Sequence, residues 1–435
     1  MMSESSIPLS SLTIVPATPD QQIEFMKRSY PQWGKPKGWS FETYKGLGED
    51  WNGREACKAG RFVLWVLTKR DELESVNFLC SCETFLRPAI VVYPNDSDTL
   101  TNHKVENVTG YGIASVFTPP ENRGKGYASH MMRLLHWMLA PLNLFHHGQE
   151  EFPREVWGDP PKMPGFVREA KFSVLYSDIG ARFYVRLGPT PASNAGGAGA
   201  GSGETDLGGW IARDTASTVW KVDDSKVVGA FEEKNKLGYN FSHVEASENL
   251  TWKWLDETLL KKIWPLDAKL AVSEMARESN TSSKIRVAFS PEEGVGSFMV
   301  ERYKLDWEKL EPIPTHWGLC KIAQPGDAEE LDVSVFATWT LTQLPGQGYS
   351  LGITRLRCPP HLFKGLFNEI LSYAKAYSNV KEIEVWNLAQ ELRGVADDMR
   401  GNTYEREEHL PSIKWYGSED VGDVDWALNE RFCWC

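Results

Sequence analysis

The chain has 435 residues, 41% of them hydrophobic and 24% charged, with a formal net charge of −12; this is enough for two domains with cores of their own, and without a basic cluster it argues against nucleic acid or an anionic membrane as the main partner. Seven cysteines, an odd number with no C-x-x-C pair, suggest neither a zinc site nor a secreted disulfide framework, and no metal is expected. The start MMSESSIPLS lacks the regions of a signal peptide, and no stretch approaches the ~20 apolar residues of a membrane span, so a soluble cytoplasmic protein is expected.

Leu12 to Ala17 predicts a first strand, and Asp20 opens a helical stretch, QQIEFMKRSY, that runs into an aromatic loop, SYPQWGKPKGW. Phe62 to Thr68 and Phe78 to Tyr93 alternate as antiparallel strands do. Tyr111 to Thr118 adds a fourth strand, which Pro119 and Pro120 end by removing two backbone donors. From Ala128 the residues Met131, Met132, Leu135, Met138 and Leu139 recur at helical spacing, with Ser129, Arg133 and His136 on the other face and Pro141 as the stop.

Between this strand and helix lies Arg123-Gly124-Lys125-Gly126-Tyr127-Ala128. A helix N-terminus offers unpaired N–H groups and a dipole worth roughly 0.3–1 kcal/mol to an anion. Gly124 and Gly126 clear the approach, and Arg123 and Lys125 add cationic donors. A P-loop is excluded, since Pro119 and Gly126 stand where it needs a glycine and a Ser or Thr; Ser129 stands at the third glycine of a dinucleotide fingerprint.

Arg123-x-x-Gly126-x-Ala128 behind a strand resembles motif A of the GNAT superfamily of N-acetyltransferases, which cradles the pyrophosphate of acetyl-CoA. Residues 173 to 188, SVLYSDIGARFYVRLG, resemble its second module, a strand and then a helix with a tyrosine four residues before a glycine, matched by Tyr184 and Gly188. Ser177 and Pro189 depart from the usual asparagine and aromatic. The resemblance implies an α+β GNAT fold, a mixed, mostly antiparallel twisted sheet flanked by helices. It implies acetyl-CoA as cosubstrate, held by Val116, Phe117, Thr118, Arg123, Gly124, Lys125, Gly126, Tyr127, Ala128 and Ser129. Backbone N–H groups of Val116 to Thr118 would hold the thioester carbonyl where strands four and five splay, and Tyr184 would protonate the departing thiolate.

The YPQWG stretch is similar to the fungal lysine N6-acetyltransferases of lysine degradation, in which this segment walls the substrate site; the alternative is that Trp33 and Trp39 simply pack on the domain. That likeness implies the ε-amine of free L-lysine as acceptor, with direct transfer in a ternary complex, since the two modules hold no cysteine for an acyl intermediate. A polyamine or protein amine, or a non-catalytic acyl-CoA-binding module, is the alternative. Strand 110–118 carries no carboxylate, so the base is a water relay or a side chain from elsewhere, the terminal carboxylate of Cys435 among them.

Residues 141–172 read as a lid or site wall, and the adjacent His146-His147 form no metal motif. A Gly/Ala-rich excursion over 189–209 precedes Trp210–Ala212 and Val219–Val222, read as the last two strands of a catalytic domain over 1–229. In 230–435, helical text (NLTWKWLDETLLKKIW, PLDAKLAVSEMARE) gives way to strands at Ile285–Phe289, His316–Ile322 and Val333–Leu341. Residues 348–377 then repeat the plan of 110–140: Gly-Tyr, strand, Pro-Pro, short loop, amphipathic helix. Glu382–Trp386, a helix over 387–399, and SIKWY and WALNERFCWC as closing strands complete a second, degenerate GNAT-like domain. Its loop, His361-Leu362-Phe363-Lys364-Gly365, puts bulky side chains where donors would meet phosphate, so no second CoA is expected.

Overall fold

The computed structural model describes residues 7–94, 104–141, 151–191, 208–223, 244–245, 251–279, 283–307, 310–323, 330–344, 346, 348–377 and 379–435. The boundary expected near residue 230, the centre of the Gly/Ala-rich excursion and His146-His147 lie outside the described residues. Among those described, no helix is long and apolar enough to cross a membrane.

The first sheet sets β1 (Leu12–Pro16), β2 (Phe62–Lys69), β3 (Cys80–Val92), β4 (Val105–Phe117) and β5 (Phe172–Ser177) side by side. The first four form the expected antiparallel meander, and β5 returns parallel to β4. Helix α1 (Pro19–Trp33) starts from a capping box between Thr18 and Gln21, an arrangement worth about 1 kcal/mol. It runs through Pro31, so the first part of the expected aromatic loop is helical. Trp33 packs 6.2 Å from the Phe25 ring and 5.6 Å from Phe117, which offsets the hydrogen bond the proline removes. A second helix, α2 (Phe41–Asp50), is capped by Ser40, and α3 (Tyr127–Leu139) covers the first core with Met131, Met132, Leu135 and Met138.

Two short strands follow, β6 (Ile211–Ala212) and β7 (Ala216–Lys221), and then β8 (Val244–Glu245) and β9 (Thr251–Trp254). The helical reading of NLTWKW is corrected by β9: Trp252 and Trp254 alternate inward, and the helix begins only at Glu257. That helix, α4 (Glu257–Ser279), is continuous through Pro265. After β10 (Ile285–Phe289) and α5 (Phe298–Trp307) come β11 (Gly318–Ile322), β12 (Leu331–Gln343), β13 (Tyr349–Arg357), α6 (Pro360–Lys375), β14 (Val380–Trp386) and α7 (Gln390–Asp398). The chain finishes with β15 (Asn402–Glu405), β16 (Leu410–Trp415) and β17 (Val424–Trp426).

The two halves exchange their closing strands. Val219–Val222, expected to close the first sheet, belongs to the second: β7 lies antiparallel between β14 and β15. SIKWY, expected to close the second, belongs to the first: β16 lies between β5 and β6. Side-chain burial accounts for both placements. Trp220 sits 4.5 Å from the Phe367 ring of the second core, while Tyr416 hydrogen-bonds Ser173 Oγ at 2.9 Å and His136 Nδ1 at 3.0 Å in the first. Trp210 stacks on His136 at 4.2 Å. His136, assigned to the polar face of its helix, is therefore wholly buried. WALNERFCWC is also no strand beyond Trp426: β17 pairs with β10, and the tail then turns through Arg431–Cys433 along the join between the halves.

Candidate functional site

Gly124 and Gly126 both take left-handed backbone angles, φ +74° and +81°, and a Cβ at either would meet nothing within 4 Å. Gly126 is the N-cap of α3 and supplies no side-chain acceptor, so the first-turn amides of Tyr127, Ala128 and Ser129 receive no side-chain cap. Arg123, held by its Nε to Thr118 O at 3.0 Å, and Lys125 stand just before that turn. These residues have the chemistry of an anion cradle, and they fit the pyrophosphate that the sequence reading places there.

The cradle adjoins the open end of β4. The β4–β5 pairing stops at Ile113 and Leu175, and among the described residues no strand pairs with that edge of β4 beyond Ile113, as the splay expected from the sequence requires. On the β3 side, Ala114 faces Glu83 and Phe117 faces Ser81, so β4 carries one extra residue, a bulge at which Ser115 is left-handed (φ +51°). That conformation costs about 1–2 kcal/mol for a residue with a Cβ. Tyr184 lies in a helical turn, Arg182–Val185, nine-tenths buried against Trp210 and Phe183. Cys80, which takes a hydrogen bond from Thr118 Oγ1 at 3.3 Å, acts electrostatically on it. Burial, then Cys80, Cys82 and Asp178, push its ionisation well above the ordinary tyrosine range. Ser177 Oγ donates to Gly180 O at 2.7 Å and so turns the chain between β5 and this residue.

On the other side of β4 lies a cavity of 470 Å³. Its walls are aromatic: Trp33 and Trp39 from the YPQWG segment, Trp51, Tyr176, and Tyr303 and Trp434 from the second half. The segment thus walls the cavity as expected, whereas the described part of 141–172 does not: Trp157 is packed into the first core instead. Glu83 lies in the cavity wall beside Ser115. Burial pushes its carboxyl up, against the hydrogen bond from Ser115 and the charge of Arg302. Residues 110–117 of β4 carry no carboxylate, and Glu83 stands opposite them, beside Ala114, on the neighbouring strand. In the sequence its trace was a single charged residue inside the apolar run CSCETFL.

Ionic groups ring the rest of the cavity. His409 Nδ1 lies 2.7 Å from Asp178 Oδ1; burial raises the Asp178 carboxyl, but the His409 contacts outweigh it and hold it below its usual range. Lys37 Nζ lies 3.0 Å from Asp306, over the rings of Trp39 and Tyr303, and burial lowers its ionisation more than Asp306 raises it. Arg87 donates to Cys433 O at 2.6 Å and so docks the RFCWC segment on the first half. A Cβ at Gly112 would stand 2.7 Å from Cys435 Sγ.

The corresponding place in the second half is closed. His361–Gly365, expected as a loop, is the first part of α6, which begins at Pro360, and Phe363 is buried in the core. β13 parts from β14 after Ile353 and also carries one extra residue against β12. Its opening is filled: Leu356 N–H donates to Glu430 Oε2 at 2.8 Å, and Arg355 pairs with both Glu430 and the buried Asp267.

Residues 240–435 match the family described as the LYC1 GNAT-like C-terminal domain. This makes the second half of the chain a GNAT-like domain, joined to a first half of mixed, mostly antiparallel α+β build. Over 116 residues it is 31% identical to the lysine acetyltransferase of Yarrowia lipolytica; the match covers 27% of this chain and spans 26% of the length of that relative. Among solved structures it is similar to a probable N-acyltransferase of Enterococcus faecalis, with a TM-score of 0.47 and 8% identity over 93% of this chain and 73% of that one. It is also similar to a GCN5-related N-acetyltransferase of Kribbella flavida, with a TM-score of 0.45 and 12% identity over 93% and 72%.

Proposed function

We propose that the protein is an acetyl-CoA-dependent N-acetyltransferase that transfers acetyl directly to the ε-amine of free L-lysine in a ternary complex. One observation carries the reading: the carboxylate-bearing aromatic cavity reaches β4 at Ala114 and Ser115, where the β4–β5 pairing has ended, and Gln32 of its wall accepts a hydrogen bond from Arg123 of the glycine loop. The lysine acceptor draws further support from the YPQWG wall and from the name of the Yarrowia relative.

Bound acetyl-CoA supplies an electrophilic carbonyl and a thiolate leaving group. Arg123, Lys125 and the amides of Gly124 to Ser129 hold its phosphates, and the N–H groups of Val116 to Thr118 take the carbonyl oxygen, where charge develops. A lysine ammonium of pKa ~10.4 is only about one part in 2500 deprotonated at pH 7, so its proton must leave before the nitrogen attacks. Glu83 accepts that proton, and burial makes it a stronger base than an exposed carboxylate. Each aromatic wall the ammonium meets contributes roughly 0.5–2 kcal/mol of cation–π attraction. As the C–N bond forms and the C–S bond breaks, Tyr184, kept neutral by its burial, donates its proton to the sulfur, and the proton shed by the acylated nitrogen passes through water to restore the phenol, while Glu83 releases the first proton to solvent. Mass spectrometry of products from L-lysine, a polyamine and a lysine-containing peptide tests the assignment. N6-acetyl-lysine with matching release of free CoA is expected, and a panel acetylated only on the polyamine or peptide overturns the lysine assignment.

A further inference from the structure

Four basic side chains line the cavity: Lys37, Arg54, Arg302 and His409. Three are committed to carboxylates, Lys37 to Asp306 at 3.0 Å, Arg54 to Asp50 at 3.4 Å and His409 to Asp178 at 2.7 Å. Arg302 has no acidic partner among the described residues. The residue is half-buried, and its guanidinium lies 5.9 Å from the rings of Trp51 and Phe298 and 5.8 Å from that of Trp434. Removing a cation from water without an anion is costly, and cation–π contacts at these distances return about 0.5–2 kcal/mol. A fold that keeps such a group in a cavity leaves the charge to be met by a ligand.

The shape of the group narrows what that ligand carries. A guanidinium fork pairs two parallel N–H bonds with the two oxygens of a carboxylate. Arg302 is near enough to Glu83 to act on its carboxyl, yet the two form no ion pair. One cavity therefore holds a free carboxylate suited to an amine and, apart from it, a free guanidinium suited to an acid. A molecule with an amine at one end and a carboxylate at the other satisfies both.

Arg302 is also well fixed, because its helix, α5, is rooted in the second core by Phe298, Tyr303 and Trp307. We propose that Arg302 receives the α-carboxylate of the amine substrate, so that the second half of the chain selects what the first half acetylates. The inference rests on the acetyl-transfer reading above.

The test compares L-lysine, its methyl ester and cadaverine, which lacks the carboxylate, on the wild type, Arg302→Met and Arg302→Lys. The wild type should prefer L-lysine over both analogues. Arg302→Met should raise KM for L-lysine about 10–100-fold, the worth of one charged hydrogen-bonded contact, and any change it makes through the Glu83 carboxyl falls on kcat for lysine and cadaverine alike, so the ratio of kcat/KM for lysine to that for cadaverine is the readout and should drop about 10–100-fold. Arg302→Lys keeps the charge at the join and should recover part of the lysine affinity, and melting temperatures separate lost recognition from lost folding. Equal losses on lysine and cadaverine, or a wild type indifferent to the carboxylate, overturn the receptor while leaving acetyl transfer in place. A wild type that binds acetyl-CoA and acetylates none of the three removes the lysine reading and the receptor together.

Discussion

The ends of β4 and β13 are built alike and used differently. Both strands carry an extra residue, both part from a parallel neighbour, and both run into a pair of prolines, Pro119-Pro120 and Pro359-Pro360. Counting three residues back from the first proline of each pair gives Val116 in one and Leu356 in the other. In the first half that position opens on the cradle. In the second, the Leu356 N–H already has an acceptor, the carboxylate of Glu430. A protein carboxylate thus stands where an acyl oxygen would be held, and a helix that begins at Pro360 leaves no room for a glycine loop. The comparison teaches that one backbone framework stands in both halves, plugged by Glu430 in the second and left without that plug in the first.

The sharpest way to break this contrast is a matched pair of glycine substitutions. Gly126→Glu puts a carboxylate on a left-handed position at a helix N-terminus and should abolish acetyl-CoA binding by calorimetry. Gly365→Glu adds a better helix former to an open helical site and should leave both affinity and the single binding site unchanged. A second equivalent of acetyl-CoA bound by the wild type would end the distinction.

Next in size is Glu83→Gln, which should lower kcat by about 10²–10⁴ with acetyl-CoA affinity intact. Because burial raises the Glu83 carboxyl, the wild-type rate should fall on acidification through a value above the ordinary 4.5, and the glutamine variant should lose that limb of its pH profile. Tyr184→Phe should also retain acetyl-CoA and lower kcat by on the order of 10² or more; a variant at full rate would leave Tyr184 as a packing residue and water as the acid. The smallest effect belongs to the plug. Glu430→Ala frees Leu356 N–H but leaves Arg355 its Asp267 partner, so urea unfolding should register a loss of about 1–3 kcal/mol, with binding still at one acetyl-CoA per chain.

Much of the cradle was legible because its signals are local: two glycines, two cations, a strand before and an amphipathic helix behind. Tyr184 was legible through its spacing to Gly188. Glu83 was not: residues 110–118 hold no carboxylate, which leaves the base to come from elsewhere, and Glu83 comes opposite Ala114 only through a strand register that no spacing reveals. The exchange of β7 and β16 was hidden for a related reason. ASTVWK and LPSIKW are both short, apolar and rich in β-branched or aromatic residues, and either composition can close either sheet. What separates them is which core receives Trp220 and which receives Tyr416, a choice made over contacts some two hundred residues apart in the chain. Arg302 gave no sign of its place, since its value lies in lacking a partner.

That exchange also sets the order in which the molecule can be completed during synthesis. Residues up to 223 contain the whole cradle, but the flank of β5 is bare until residues 410–415 have left the ribosome, and until then Ser173 and His136 lack the Tyr416 hydroxyl that joins them. β7 meanwhile emerges early and waits for β14 to give it a partner. Neither sheet can finish ahead of the other, so the two halves mature as one cooperative event once residues 410–415 have been made, and fragments split in the region of residue 230 should recover their fold only when made together.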